Sequence, residues 1–330
     1  MEIRDLHQVK NFIEIHEKDK NNRNIRLYTF KEVILSGISG FYPNVLLKSR
    51  SNEYLILPIK EMSMSLNKRS FYEENGMSYD LITNDMTIYN RIDYDVYFFI
   101  YNTENYYHFI YDTLPYLYCF LQLRKANKNI KLLMSYNKGK DEILPFVIES
   151  LELLGINRQD IIIHESNNSY KKLYLSNSFT HDGLSNIVPR KEIFEIYDKM
   201  IRNALSKKEQ YDNLNYEKIY ISRRTWKNNN ITDNIGTNYT TRRKLINEDE
   251  LVEQLEKYNF IEIFGENYSM VEKILLFNSA KLIVGAIGGT ISNCVFSNKS
   301  CKIIPLVSPQ FLDINYRMKF LFGENVVLFR

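Results

Sequence analysis

Over the first 90 residues the apolar positions come in short runs, such as Tyr54-Leu-Ile-Leu-Pro58, broken by polar turns. The runs have strand length, and no helical period joins them. From Val96 the pattern becomes regular. Residues 96–100 are continuously apolar, β-branched or aromatic, which predicts a buried strand. Polar residues 102–105 follow, then an apolar-periodic segment over 106–123 that reads as a helix. Residues 130–134 predict the next strand, 143–154 a helix, and 161–164 and 172–175 two further strands. A helix over 190–205 carries Ile193, Ile196, Tyr197, Met200, Ile201 and Leu205 on one face.

The last third alternates cleanly, with strands over 218–222, 260–264, 282–285 and 302–306. Helices over 248–257, 270–278, 289–296 and 311–320 follow them in turn. Such alternation predicts right-handed βαβ units and a parallel sheet. At 330 residues the chain exceeds what one hydrophobic core usually organises. Two α/β domains are therefore expected, over 1–189 and 190–330, joined by the helix at 190–205.

Composition narrows the class. The mixture of 44% hydrophobic and 25% charged residues is that of a soluble globular protein. A net charge of +3, with both signs interspersed, gives no nucleic-acid stripe. Cys119, Cys294 and Cys301 lack zinc-ligand spacing and read as buried thiols of a reducing compartment. Neither an apolar leader at the start nor a stretch of 18 apolar residues is visible, so a cytoplasmic protein without a transmembrane anchor is expected. The 25 Tyr and 19 Phe against one Trp fit an AT-rich coding bias, or aromatic surfaces that stack on sugar or base rings.

Ligands of open parallel sheets bind beyond the carboxyl ends of the strands, and three segments there carry chemistry. Gly285-Ala286-Ile287-Gly288-Gly289-Thr290-Ile291-Ser292-Asn293 lets backbone approach a ligand at a strand-to-helix turn and offers N–H groups to an anion. It also reads as a tight turn chosen for packing. Ser222-Arg223-Arg224-Thr225-Trp226, with Thr241-Arg242-Arg243 at the far end of a long polar loop, supplies guanidinium forks that suit phosphate. The bland reading is a solvated basic loop. His108 and Asp112 share a helical face at a spacing of four and can form a general-base pair, or serve as caps of a helix start.

Five motifs in order resemble glycosyltransferase family 61. They are Asn105-Tyr-Tyr-His108-x₃-Asp112-x-Leu-Pro115, Tyr220-x-Ser222-Arg223, Arg243-x₃-Asn247-Glu248, Glu266-x₂-Ser269 and Val284-Gly285-x₃-Gly289-x₃-Asn293. The resemblance implies an α/β, GT-B-like fold of two Rossmann-type domains facing across a cleft, the C-terminal one holding a nucleotide sugar, usually a UDP-sugar. It implies an inverting hexosyl- or pentosyltransferase acting on a glycan acceptor, with no metal and no cofactor. His108 and Asp112 would serve the acceptor side, with Asp112 the base and His108 positioning it, or the reverse. Arg223, Arg243, Gly288, Gly289, Thr290 and Asn293 would hold the diphosphate, and Glu266 and Ser269 the nucleoside. One position departs from the family: Ile287 stands where a histidine is usual. Without an anchor, the resemblance points to a bacterial or viral cytosolic enzyme.

Two rivals stand beside this reading. Asp93-Tyr94-Asp95 could hold Mn²⁺ or Mg²⁺ in a metal-dependent GT-A enzyme, although it is expected to precede a strand rather than follow one. Ile287 motivates the other, a non-catalytic binding protein descended from the same fold.

Overall fold

The short apolar runs of the first third become strands, gathered into a sheet by a strand far along the chain. The computed structural model describes residues 24–36, 90–136, 141–165, 168–182, 185–186, 188–211, 214–224 and 245–307. It also describes 3–4, 12–14, 46–48, 54–56, 72–75, 78–81, 319, 321 and 325–327. The expected helix at 311–320, apart from residue 319, and the loop carrying Trp226, Arg242 and Arg243 lie outside the described residues. The chain divides into two compact units. One comprises 1–104, 112–144 and 156–193, the other 105–111, 145–155 and 194–330.

In the first unit the strands are β1 (Ile3–Arg4), β2 (Phe12–Glu14), β3 (Arg26–Ser36), β4 (Leu46–Lys48), β5 (Tyr54–Ile56), β6 (Tyr72–Asn75), β7 (Ser78–Leu81), β8 (Arg91–Phe98), β9 (Lys131–Met134), β10 (Ile161–Ile163), β11 (Ser169–Ser176), β12 (His181–Asp182) and β13 (Ser185–Asn186). Among the described residues nine of them form one sheet in the order β1-β5-β4-β3-β11-β8-β9-β10, with β2 also paired to β3. Strand β11 runs parallel to β8 but antiparallel to β3, so the sheet is mixed rather than wholly parallel. Its centre is apolar: Val96, Leu132, Leu133, Tyr170 and Leu173 are all inaccessible to solvent. Strand β8 begins five residues before the apolar run, because its first half is polar and solvent-facing. Asp93 and Asp95 therefore lie inside a strand, not ahead of one.

The segment 106–126 is helical but not one α-helix. A turn of α-helix, α1 (Tyr106–His108), widens into a π-helix at Phe109–Thr113. The coil then tightens to a 3₁₀ turn at Leu114–Tyr116 before α2 (Leu117–Ala126) resumes. Pro115 lacks an N–H, and its ring would collide with the carbonyl four residues earlier in a regular α-helix, which accounts for the change of pitch.

The second unit holds β14 (Lys218–Ile221), β15 (Ile261–Ile263), β16 (Leu282–Ala286) and β17 (Lys302–Leu306), all parallel, in the order β15-β14-β16-β17. Its helices are α3 (Pro145–Leu153), α4 (Ile193–Leu205), α5 (Glu248–Glu256) and α6 (Met270–Ser279). The predicted apolar face of α4 is buried at Ile193, Ile196, Tyr197 and Met200, whereas Leu205 is exposed. Tyr220, Val252, Phe260 and Val284 form a core cluster closed by Leu251, Leu255, Leu282, Ile304 and Leu306. Each such side chain contributes about 1.5–3 kcal/mol when fully buried. From β14 the chain first adds β15 on one side, then crosses to add β16 on the other. The direction of winding thus reverses between β14 and β16, the position at which open α/β sheets bind ligands beyond their carboxyl ends.

Candidate functional site

Arg223 emerges two residues past the end of β14, at that reversal. Its backbone is fixed by Glu248, the buried first residue of α5. One carboxylate oxygen, Oε1, accepts from the Tyr220 hydroxyl at 2.8 Å, the Ser222 hydroxyl at 3.4 Å and the Arg223 N–H at 2.7 Å. Burial and this carboxylate push the Tyr220 phenol well above its usual pKa. From there the Arg223 guanidinium crosses to the neighbouring strand end, where Nη1 donates to the Ile287 carbonyl at 3.2 Å. A Cβ at Gly288 would land on that same Nη1, so the glycine makes room for the guanidinium. Arg224 does something else. It forks onto Glu262 at 2.9 and 2.5 Å and reaches Asp249 at 2.8 Å, a structural ion pair that raises its pKa further.

Beyond β16, Ile287 is buried and its N–H donates to the Leu306 carbonyl at 3.1 Å. The coil after Gly289 is a seven-residue 3₁₀ helix, Thr290–Phe296, in place of the expected α-helix. Its residues serve the turn. Asn293 is fully buried, donates Nδ2 to the Thr290 carbonyl at 2.8 Å and accepts the Tyr106 hydroxyl on Oδ1 at 2.6 Å. The Thr290 side chain fills the space that a Cβ on Gly265 would need. Tyr106 lies against Gly289, where a Cβ would make ordinary contact at 3.5 Å.

Glu266 is exposed on the 3₁₀ turn Gly265–Asn267. Ser269 caps α6: its N–H and hydroxyl donate to Glu272 Oε2, both at 2.7 Å, and its Oγ accepts the Glu272 N–H at 3.3 Å. Arg223, Gly288, Gly289, Thr290 and Asn293 are thus brought to one strand-end turn. Arg243 lies outside the described residues.

The division between the units falls between Tyr111 and Asp112, so the two acceptor-side candidates belong to different units. Within the second unit, His108 ends α1, its N–H donating to the capping Asn105 Oδ1 at 3.4 Å. Within the first, Asp112 is buried in the π-helical turn and Oδ1 accepts the Thr180 hydroxyl at 3.0 Å. Asp93 pairs with Arg91 at 3.1 Å, and Asp95 with Asn127 at 3.2 Å and Lys172 at 3.7 Å. Among the described residues no three His, Cys, Asp or Glu side chains cluster as metal ligands, and no helix is long and apolar enough to cross a membrane. The three thiols are buried and unbridged. Sequence reasoning passed over Tyr106, Thr180 and Lys273. Tyr106 looks like a core-helix member in the chain, Lys273 like a member of a helix's solvent face, and Thr180 carries no motif.

One unit holds a parallel sheet with a glycine turn and an arginine at its winding reversal, the other a mixed sheet with parallel strands, and together they define a Rossmann-like α/β protein. The family model Glycosyltransferase 61 matches residues 106–304, more than half of the chain, and the chain belongs to glycosyltransferase family 61. Membership makes it a glycosyltransferase, with a nucleotide sugar and an acceptor as substrates. No curated protein matches the chain significantly.

Proposed function

We propose that this chain is an inverting, metal-independent transferase that moves a hexose or pentose from a UDP-sugar to a glycan hydroxyl in the cytoplasm. In this reading the fold is GT-B-like, with residues 190–330 taking the donor and 1–189 the acceptor. The observation that carries it is Arg223, held by Glu248 at the end of β14 and bonded across to Ile287 over Gly288. A guanidinium fixed beside bare backbone at a winding reversal is suited to a diphosphate.

As the acceptor oxygen attacks the anomeric carbon, the bond to the β-phosphate oxygen breaks and its electron pair stays on the phosphate. Arg223, the Gly288–Gly289–Thr290 backbone and Arg243 stabilise that charge. The acceptor proton passes to Asp112, whose carboxylate is oriented by Thr180. His108 positions the acceptor, Glu266 receives the nucleoside beside the Ser269 cap, and Asn293 braces the diphosphate turn through the Thr290 carbonyl. The engagement of Asp93 and Asp95 with Arg91, Asn127 and Lys172 supports a mechanism that does not use them. A binding protein without turnover remains as second reading, motivated by buried Ile287.

The test is UDP release from a panel of UDP-sugars in excess EDTA, by wild type and Asp112→Asn. Wild type should turn over, and the nearly isosteric variant should lose about 10²–10⁴ in kcat with UDP affinity retained. Activity that disappears in EDTA and returns with Mn²⁺ would overturn the metal-free mechanism. UDP binding without turnover would favour the binding protein.

A further inference from the structure

Lys273 sits in the first turn of α6, a helix buried almost all round at Met270, Val271, Ile274, Leu275, Leu276 and Phe277. It is itself only 9% exposed. Removing an ammonium from water costs several kcal/mol unless it is paired. Yet among the described residues the ammonium makes neither an ion pair nor a hydrogen bond. The carboxylates that act on it are Glu149 on α3, Glu266 on the preceding turn and Glu272 on its own helix. Two of these are already engaged. Glu149 accepts the Met270 N–H at 2.6 Å, and Glu272 accepts both donors of Ser269. Burial pulls the ammonium's pKa below its usual value, against the pull of those three acids.

The group that Lys273 does meet is Tyr106, with Nζ 4.8 Å from the ring centroid. A ring face compensates an ammonium by about 0.5–2 kcal/mol, less than full desolvation costs. That same ring lies against Gly289 and anchors its hydroxyl on Asn293. Lys273 and Gly289 thus contact the same side chain, Tyr106. Arg223 covers the adjacent Gly288.

We propose that Lys273 is a second phosphate-binding cation of the donor site, its ammonium meeting the nucleotide diphosphate on the Gly289 side of the turn while Arg223 meets it on the Gly288 side. The assignment rests on the donor-site reading above. An arriving diphosphate supplies the direct hydrogen-bonding anion that the ammonium does not find among the described residues. The two cations together face the oxygen on which the electron pair settles when the sugar departs.

Calorimetry on the full chain with UDP and with uridine, for wild type, Lys273→Met and Lys273→Arg, tests this. The Met variant should bind UDP roughly 10- to 100-fold more weakly, the range of one charge-assisted hydrogen bond, and uridine equally well. The Arg variant should stay within a few-fold of wild type. The Met variant should fold, since an apolar chain of similar length relieves buried charge, and its melting temperature checks this. Unchanged UDP affinity in the Met variant, or equal losses for UDP and uridine, would overturn the assignment while leaving the donor site standing. Wild type that binds none of UDP, GDP, CDP and dTDP would remove the donor-site reading and this inference together.

Discussion

A methyl group added to Gly288 and one added to Gly289 meet different neighbours, although the residues are adjacent. At Gly288 it displaces the end of the Arg223 side chain, which can swing away at little cost to the fold. At Gly289 it makes ordinary contact with Tyr106. Gly288→Ala is therefore expected to fold normally but to bind UDP about as weakly as Arg223→Ala, a loss of roughly 1.5–3 kcal/mol. Gly289→Ala should bind close to wild type. Titration calorimetry of the three variants checks the ordering; equal losses at both glycines would mean the backbone itself, and not the guanidinium, is what matters. Part of this arrangement was legible in the sequence, because a glycine pair after an apolar strand and an arginine after another are local signals. The steric pairing of Gly288 with Arg223 was not, since 64 residues separate that guanidinium from the carbonyl it meets. Thr180 beside Asp112 lies 68 residues away and was equally hidden.

At the scale of elements, α6 starts with a reciprocal cap in which both hydrogen-bonding capacities of the Ser269 hydroxyl are used inside the helix terminus. Ser269→Ala is thus expected to cost about 1 kcal/mol of stability, read as a lower urea midpoint. Uridine affinity should hold; its loss would mean that the hydroxyl contacts the nucleoside after all. The alternation of strands and helices in the last third was legible because each period is set by a few neighbouring residues. Strand order was not. Alternation implies parallel pairing but does not say that β16 returns to the far side of β14, and that return creates the winding reversal. The π-helical turn at Phe109–Thr113 also escaped, since the apolar spacing over 106–123 is compatible with a regular helix. Lys273 escaped for a related reason: a lysine on an amphipathic pattern is assigned to the solvent face, and α6 leaves it almost none.

For the molecule as a whole, His164 links stability to pH. It is buried behind β10, its Nδ1 sharing a 2.5 Å hydrogen bond with the Tyr170 hydroxyl, and burial lowers its pKa to about 3. An unfolded histidine titrates near 6.5. Between those values the unfolded chain binds the extra proton, so the contribution is complete above pH 6.5 and is lost as pH falls toward 3. From pH 7 to pH 5 wild type should lose about 2 kcal/mol through this group. Urea unfolding of wild type and His164→Gln at both pH values measures it. A pH dependence unchanged in the variant would show that other groups govern the loss.

The position of β11 at the centre of the first unit's sheet has a consequence for biosynthesis. One edge of β3 has no partner until β11 leaves the ribosome, about 140 residues later, and β8 waits about 75. At roughly 5–20 residues per second, the nascent chain carries an open β edge for on the order of ten seconds. Unpaired edges recruit other chains. Chaperone dependence and sensitivity to translation speed should therefore arise in the first half of this protein, while the parallel sheet of the second unit, whose four strands come within 90 residues of one another, can form promptly once made.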